Sequence, residues 1–256
     1  MTVRAEDLLR VRSALGEWKI AHRVQLRNAA VSPRLVRGAL QAGIIRQVRR
    51  DWFADTECSD AVVHAVHAGA TLACVSAAPV HGLWDLEVPE LHLCAAHNTP
   101  RILRDARSAL GTGHRELVVH WTRRPEPTLA PRVRAVIVPL KRTLAQIAEC
   151  RPLEDAVAVV DSALRRRKIG LDELRQAAVG RTRLAHVLTY SNALADSGLE
   201  SIARVRLALR GVDMVPQVEL DGHPRRRTHR HTARHPTRWI RSALLARAAQ
   251  SRPRAG

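Results

Sequence analysis

Eight polar residues between positions 27 and 50 have side chains suited to binding a nucleic-acid duplex. They are Arg27, Asn28, Arg34, Arg37, Gln41, Arg46, Arg49 and Arg50. Arginine side chains contact phosphate oxygens, and they donate paired hydrogen bonds to the edge of guanine. The same residues also fit two other interpretations, solvated charges on a small helical domain or a module that docks another protein, so the sequence leaves the choice open.

Three short helices are predicted to position these side chains. Apolar residues at helical spacing predict a helix over residues 5–15 and a shorter one over about 22–29. Ser32 is a favourable N-cap, and Pro33 is favourable at the first helical position, so a third helix is predicted from there to Gln41. Gly43 is expected to end it, because glycine readily adopts the left-handed backbone found after a helix.

A basic hairpin is predicted directly after the third helix. Apolar residues on either side of Arg49-Arg50-Asp51 indicate two short strands joined by this turn. Three helices and a hairpin form the layout of a winged helix-turn-helix. In that layout the third helix exposes Arg34, Arg37 and Gln41 to the major groove, and the hairpin, or wing, presents Arg46, Arg49 and Arg50 to phosphate.

Histidine and cysteine residues elsewhere do not show the spacing of a metal site. His64 and His67 share one helix face, but no third ligand follows at useful spacing, which favours a surface pair. The four cysteines are far apart in sequence and form no Cys-x-x-Cys pair, which favours reduced and mostly buried thiols. They are Cys58, Cys74, Cys94 and Cys150. We therefore predict no metal and no other cofactor here.

Three further residues invite a catalytic interpretation that the sequence does not favour. Ser76 lacks the Gly-x-Ser-x-Gly setting of a hydrolase nucleophile. His81, next to Gly82, is interpreted as a helix cap rather than a base. Asp161 is most simply paired with Arg165, four residues later on one helix.

The run VQLRNAAVSPRLVRGALQAGIIRQVRRDWFA, residues 24–54, resembles the N-terminal domain of abortive-infection type IV antitoxins. The resemblance implies a winged helix that binds duplex DNA at the promoter of its own operon, with a cognate toxin as a possible protein partner. Many members have Gly-Val-Tyr after the wing arginines, where this chain has Asp51-Trp52-Phe53, and the Asp would weaken the attraction for phosphate. Three later segments resemble the region that follows in these proteins, which are common in high-GC actinobacteria: CVSAAPVHGLW, VPLKRTLAQIAE and AVAVVDSALRRRKI.

The segment from Ser197 to Gly211 resembles the first helix of a PD-(D/E)XK endonuclease of the very-short-patch-repair type. In that resemblance Glu200 matches the acidic residue of the helix. The family's other acidic residues should follow on the next strands, but no carboxylate occurs after Asp221 to help hold a magnesium ion. We therefore expect an inactive nuclease-like part. Glu200 would be catalytic, and Mg²⁺ bound, only if the alternative of a metal-dependent DNA endonuclease holds.

The tail after Asp221 has an unusual composition. Residues 223–256 contain ten arginines, four histidines, no lysine and no acidic residue, so they supply ten charges of the formal net charge of +18. An off-frame translation of GC-rich DNA would produce such a composition. The competing hypothesis is a basic arm that binds nucleic acid through the release of counterions. In either case we expect most of the tail to be disordered.

Taken over its 256 residues, the chain is predicted to have an α+β fold with four parts. These are a winged helix over residues 1–55, a mixed α/β domain over 56–178, the start of a nuclease-like domain over 179–222, and the basic tail over 223–256. No run of 18 apolar residues predicts a membrane span, and the N-terminus lacks the apolar stretch of a secretory signal, so a cytoplasmic protein is expected. A degenerate remnant without DNA activity is a third hypothesis beside the DNA-binding protein and the endonuclease.

Overall fold

Helices and short sheets alternate along the chain, which confirms the predicted α+β class. The computed structural model describes residues 4–97, 116–123, 128–130 and 133–214. Contacts divide the chain into Met1–Gln217 and Val218–Gly256, and all the described residues belong to the first part. The basic tail therefore lies outside the described residues. The sequence also predicts a strand from Met214 to Leu220, and of this strand only Met214 is described.

The N-terminal segment combines three helices with a three-stranded antiparallel sheet. Its elements are α1 (Ala5–Ala14), β1 (Ile20–His22), α2 (Arg23–Asn28), α3 (Pro33–Gln41), β2 (Ile45–Arg49) and β3 (Trp52–Asp55). The strand order is β1-β3-β2, so the strand that the sequence did not predict, β1, pairs with the second strand of the hairpin. Val11 of α1, Leu26 of α2, Ala39 of α3 and Phe53 of β3 are buried together in one core.

Local capping explains why α2 and α3 begin where they do. The Ser32 hydroxyl accepts a hydrogen bond from the backbone N–H of Leu35 at 3.3 Å, and Pro33 occupies the first helical position. His22 caps α2 by accepting from the backbone N–H of Val24. Gly43 follows α3 with a φ of +68°, as predicted for the residue that ends the helix.

A second sheet follows in the middle of the chain. Its elements are α4 (Asp60–Ala68), β4 (Thr71–Leu72), α5 (Cys74–Ala77), β5 (Glu90–Ala96) and β6 (Glu116–Thr122). The strand order is β4-β5-β6, with β4 antiparallel to β5, and β5 parallel to β6. Leu72 also bridges Ile137, because its backbone bonds both Val136 and Val138.

The sequence predicts a short helix ending at Gly82, a strand over 135–138 and a loop over 123–134, and all three need correction. The short helix expected over 76–82 is instead α5, which ends at Ala77. The strand expected over 135–138 contributes a single bridge, because it pairs only with the two-residue strand β4. The expected loop over 123–134 contains two short paired strands, β7 (Thr128–Ala130) and β8 (Val133–Arg134).

Five helices complete the described fold. They are α6 (Leu140–Cys150), α7 (Leu153–Arg165), α8 (Leu171–Ala178), α9 (Thr182–Tyr190) and α10 (Gly198–Ala208). Of these, α9 was not predicted. Their buried side chains share one core with α5 and β5, which runs from Ala73 to Val205. No helix of the described residues is long and apolar enough to cross a membrane.

A buried polar cluster attaches α10 to α7. Asp161 of α7 accepts hydrogen bonds from the Ser201 hydroxyl, the Arg204 guanidinium and the backbone N–H of Asn192, at 2.7, 2.7 and 2.6 Å. The predicted pair between Asp161 and Arg165 is therefore wrong. Asp161 lies on the buried face under α10, whereas Arg165 lies in the exposed last turn and pairs with Asp196 at 3.1 Å.

Candidate functional site

The exposed face of α3 presents the residues that the sequence assigned to it. Arg34, Arg37 and Gln41 are spaced by three and four residues, so they lie along one side of the helix, and all three are exposed. Val36 and Ala39 are buried on the other side, where α3 packs against α1 and β2. The helix therefore has an apolar face that holds it in the fold and a polar face of arginine and glutamine.

Arg27 and Asn28 lie at the end of α2, one short turn before α3 begins. Both side chains are exposed. The turn between the helices is fixed by Val31, which is buried and whose N–H donates to the carbonyl of Leu26 at 2.9 Å. The two helices are therefore held in a defined relation, and each carries exposed polar residues near the turn.

The three arginines of the β2–β3 hairpin have different surroundings. Arg46 is paired with Asp60 of α4 at 3.5 Å. The Arg49 guanidinium lies so close to Gly69, at the end of α4, that a Cβ there would collide with it. Arg50 is at the turn, with 94% of its side chain exposed. Two of the three hairpin arginines thus contact the α4 region, whereas Arg50 is almost fully exposed beside Asp51.

Asp51 adopts a left-handed backbone conformation in the β2–β3 turn. Its φ is +65°, in the left-handed region that aspartate tolerates better than most residues other than glycine. Its carboxylate lies 3.0 Å from Arg23 and 4.0 Å from Arg50. Its negative charge is therefore partly balanced by α2, rather than standing alone at the hairpin tip.

Two further acidic residues, at the end of β3 and just after it, are also paired. Asp55 accepts from the Arg12 guanidinium at 2.6 Å, and Glu57 accepts from Lys19 at 2.6 Å. Burial alone would raise the pKa of Asp55, but hydrogen bonds from the backbone N–H of Glu57 and from Arg12 outweigh it and lower that pKa. Between Ile20 and Arg50 the sequence has seven arginines and no acidic residue. The segment is therefore strongly basic over α2, α3 and β2.

A second site, which the sequence analysis missed, gathers two cysteines and two histidines. Cys74, His92, His120 and Cys150 each direct one potential ligand atom to a common point, and these atoms all lie within 4.8 Å of one another. Nδ1 of His92 is 3.1 Å from Nε2 of His120 and 3.8 Å from Sγ of Cys150. The four thiols are free and mostly buried, as predicted, but the sequence gives no sign that two of them lie in one cluster.

Strand register explains how the two histidines come together. In the parallel pair β5–β6, His92 lies opposite Val118 and Cys94 lies opposite His120. Side chains two residues apart on a strand point to the same face, so both histidines project from the same face. Cys74 at the start of α5 and Cys150 at the end of α6 complete the group.

The four side chains are in unusual environments. His92 is 1% exposed, and its Nε2 atom is buried without a hydrogen-bond partner. Cys74 has a φ of +50°, a strained backbone for a residue that is not glycine. Hydrogen bonds from the Cys74 thiol, His120 and His92 lower the pKa of the Cys150 thiol, whereas donation to Cys150 and burial raise the pKa of Cys74.

The signal that could have revealed this site is the interruption of two apolar strands by histidine. His92 lies in Glu-Leu-His-Leu-Cys and His120 in Leu-Val-Val-His-Trp. A histidine in a strand that is otherwise apolar requires a partner, because burial of a polar ring without one is unfavourable. Consecutive members of the group, however, are separated by 17 to 29 residues, so no local spacing pattern identifies them.

Glu200, the candidate nuclease residue, caps its own helix. Its carboxylate accepts from the backbone N–H of Asp196 at 2.7 Å, and its N–H donates to the Ser197 hydroxyl at 3.2 Å. Among the described residues it belongs to no group of three or more metal-binding side chains. His64 and His67 likewise form no such group there. The His81 ring contacts the carbonyl of Val138 at 2.9 Å, a structural contact.

Compared with known protein families and with curated proteins, the chain shows no match in either set.

Proposed function

We propose that residues 4–55 form a winged helix-turn-helix that binds duplex DNA, with α3 in the major groove. The order helix, strand, two helices and hairpin, with the sheet order β1-β3-β2, supports this architecture. The observation that carries the proposal is the row formed by Arg34, Arg37 and Gln41, which lies exposed along the one face of α3 that the core does not use.

Charge supports the same assignment. A stretch of seven arginines without an acidic residue attracts a polyanion and releases counterions when it binds one. Arg27 and Arg50 flank α3 in sequence and are exposed, so they are assigned to phosphate. Arg46 and Arg49 contribute less to the interface in this proposal, because one pairs with Asp60 and the other packs against Gly69.

The resemblance of residues 24–54 to type IV antitoxins supports a particular target. In the proposed function the protein represses its own operon by binding its promoter, and a cognate toxin is the protein partner. The endonuclease alternative has less support. Glu200 caps α10, and among the described residues no carboxylate cluster surrounds it.

The proposal is tested by fluorescence anisotropy of the full chain on the upstream region of its own gene. We expect each of Arg34→Ala and Arg37→Ala to weaken binding by roughly 5- to 150-fold if the side chain contacts a base, equivalent to about 1–3 kcal/mol. Arg175→Ala is the matched control, because this exposed arginine on α8 pairs with Asp172 and lies outside the α1–β3 segment. Equal losses for the control and the two α3 variants would refute the proposal.

The basic tail requires its own control, because ten arginines bind any duplex without sequence preference. A full-length variant with those ten arginines changed to glutamine separates the two contributions. We expect this variant to keep its preference for the upstream region over an unrelated duplex, and to show a shallower dependence of affinity on salt. A preference that disappears with the tail charges would assign binding to the tail and contradict the role of α3.

A further inference from the structure

We infer that Cys74, His92, His120 and Cys150 form a structural zinc site that fastens α5, β5, β6 and α6 to one another. The four ligand atoms already lie within 4.8 Å of each other, and two sulfurs with two imidazole nitrogens form a ligand set typical of structural zinc.

The distances fit tetrahedral coordination after a small contraction. Zinc binds nitrogen at about 2.0–2.1 Å and sulfur at about 2.3 Å, so ligand atoms at the corners of a tetrahedron are about 3.3–3.8 Å apart. The His92–His120 nitrogens are 3.1 Å apart, and the His92–Cys150 atoms are 3.8 Å apart. The ligand atoms that are furthest apart must approach by only about 1 Å to reach the tetrahedral distances.

Charge and burial favour a metal over an arrangement of hydrogen bonds alone. Two thiolates neutralise a divalent ion, so the complete site carries no net charge and is suited to the interior. His92 is almost fully buried, and its Nδ1 atom faces Nε2 of His120 and Sγ of Cys150. An ion bound to all three atoms would satisfy them together, with the ring proton of His92 on Nε2.

The arrangement indicates a structural rather than a catalytic ion. Four protein ligands fill the tetrahedron and leave no position for water or substrate. The ligands come from four separate elements, so the ion would act as a cross-link between residues 74 and 150. The strained φ of Cys74 is consistent with a backbone that is held in place to direct its sulfur to the site.

Metal content of the untagged full chain provides the first test. After expression with zinc and purification without chelator, elemental analysis is expected to give about one zinc per chain. Cys150→Ser and His120→Ala are expected to reduce the zinc to background. Cys58→Ser and His67→Ala are matched controls that change the same residue types outside the cluster, and they should retain the ion.

A cobalt titration of the wild-type chain keeps the proposal testable even if the ligand variants do not fold. We expect the visible bands of tetrahedral Co²⁺ and a thiolate-to-cobalt charge-transfer band, both displaced by one equivalent of Zn²⁺. Three results would overturn the proposal: a zinc-free protein that shows no cobalt spectrum, retention of zinc by Cys150→Ser, or a disulfide between Cys74 and Cys150 in a metal-free protein. Because the cluster lies outside the α1–β3 segment, none of these outcomes affects the DNA-binding test.

Discussion

The contact between Asp161 and Arg204 makes a quantitative prediction about how α10 is held. Asp161 is 1% exposed and Arg204 is 8% exposed, and their side chains approach to 2.7 Å. Replacing Asp161 with Leu leaves the guanidinium buried with the carbonyl of Tyr190 among its remaining partners. Replacing Arg204 with Met leaves the carboxylate with the Ser201 hydroxyl and the N–H of Asn192.

Breaking a buried ion pair by removing one partner costs about 3–5 kcal/mol, because the other charge stays buried without compensation. We expect Asp161→Leu to lower the free energy of unfolding by that amount, and to lower Tm by roughly 6–20 °C for a protein of this size. The double variant Asp161→Leu/Arg204→Met should be more stable than the sum of the single losses predicts, with a coupling energy of about 2 kcal/mol.

The assay is urea unfolding followed by circular dichroism, at constant metal content for all four proteins of the cycle. Arg165→Met is the matched control, since Arg165 forms its ion pair with Asp196 at the surface and should cost about 1 kcal/mol or less. A coupling energy below about 0.5 kcal/mol between Asp161 and Arg204 would refute the reasoning. So would strong coupling between Asp161 and Arg165, which is the pairing that the sequence suggested.

Three further substitutions have defined outcomes. Asp55→Asn should lower the free energy of unfolding by about 1–3 kcal/mol at pH 7, because it removes the negative charge that pairs with Arg12 and one of the two acceptor oxygens. Because the folded-state pKa of Asp55 is lowered, the difference in unfolding free energy between wild type and variant should be complete above about pH 4–5. It should shrink as the pH falls through the folded-state pKa, which urea unfolding at several pH values will measure. Asp51→Gly, at φ +65°, should change the unfolding free energy by less than about 1 kcal/mol yet tighten DNA binding at low salt in anisotropy; unchanged affinity would place the hairpin tip outside the interface. Gly198→Ala should destabilise the protein by about 1–3 kcal/mol in thermal unfolding, because its Cβ would collide with the Trp84 indole.

The elements that the sequence predicted well are those whose signals are local. The helix α3 begins at Pro33 and ends at Gln41, as expected, because a cap, a proline and a following glycine all lie within a few residues of its ends. The apolar spacing also predicts helices over Leu153–Arg165 and Leu171–Ala178, which are the bounds of α7 and α8 in the structure. In each case apolar residues at helical spacing determine the buried face.

What the sequence could not supply are contacts between distant residues. The strand β1 has only three residues and exists because β3, thirty residues later, pairs with it. Asp161 forms its ion pair with Arg204 on another helix, although Arg165 is nearer in sequence. The cysteine and histidine cluster requires the register of β5 on β6, which no spacing pattern encodes. For the proposed nucleic-acid interface the position of α3 was predictable, whereas the contacts of Arg46 and Arg49 with α4 were not.

The span of each core determines the order in which the chain can fold during synthesis. The buried residues of the N-terminal core lie between Val11 and Phe53, whereas the largest core joins Ala73 to Val205. At about 5–20 residues per second, a ribosome needs roughly 8–30 s to travel from the end of the first core to the end of the second. We expect α3 to fold early in synthesis. The apolar surfaces of α5 and β5 would remain exposed to chaperones on the nascent chain until the later helices of their core are synthesised.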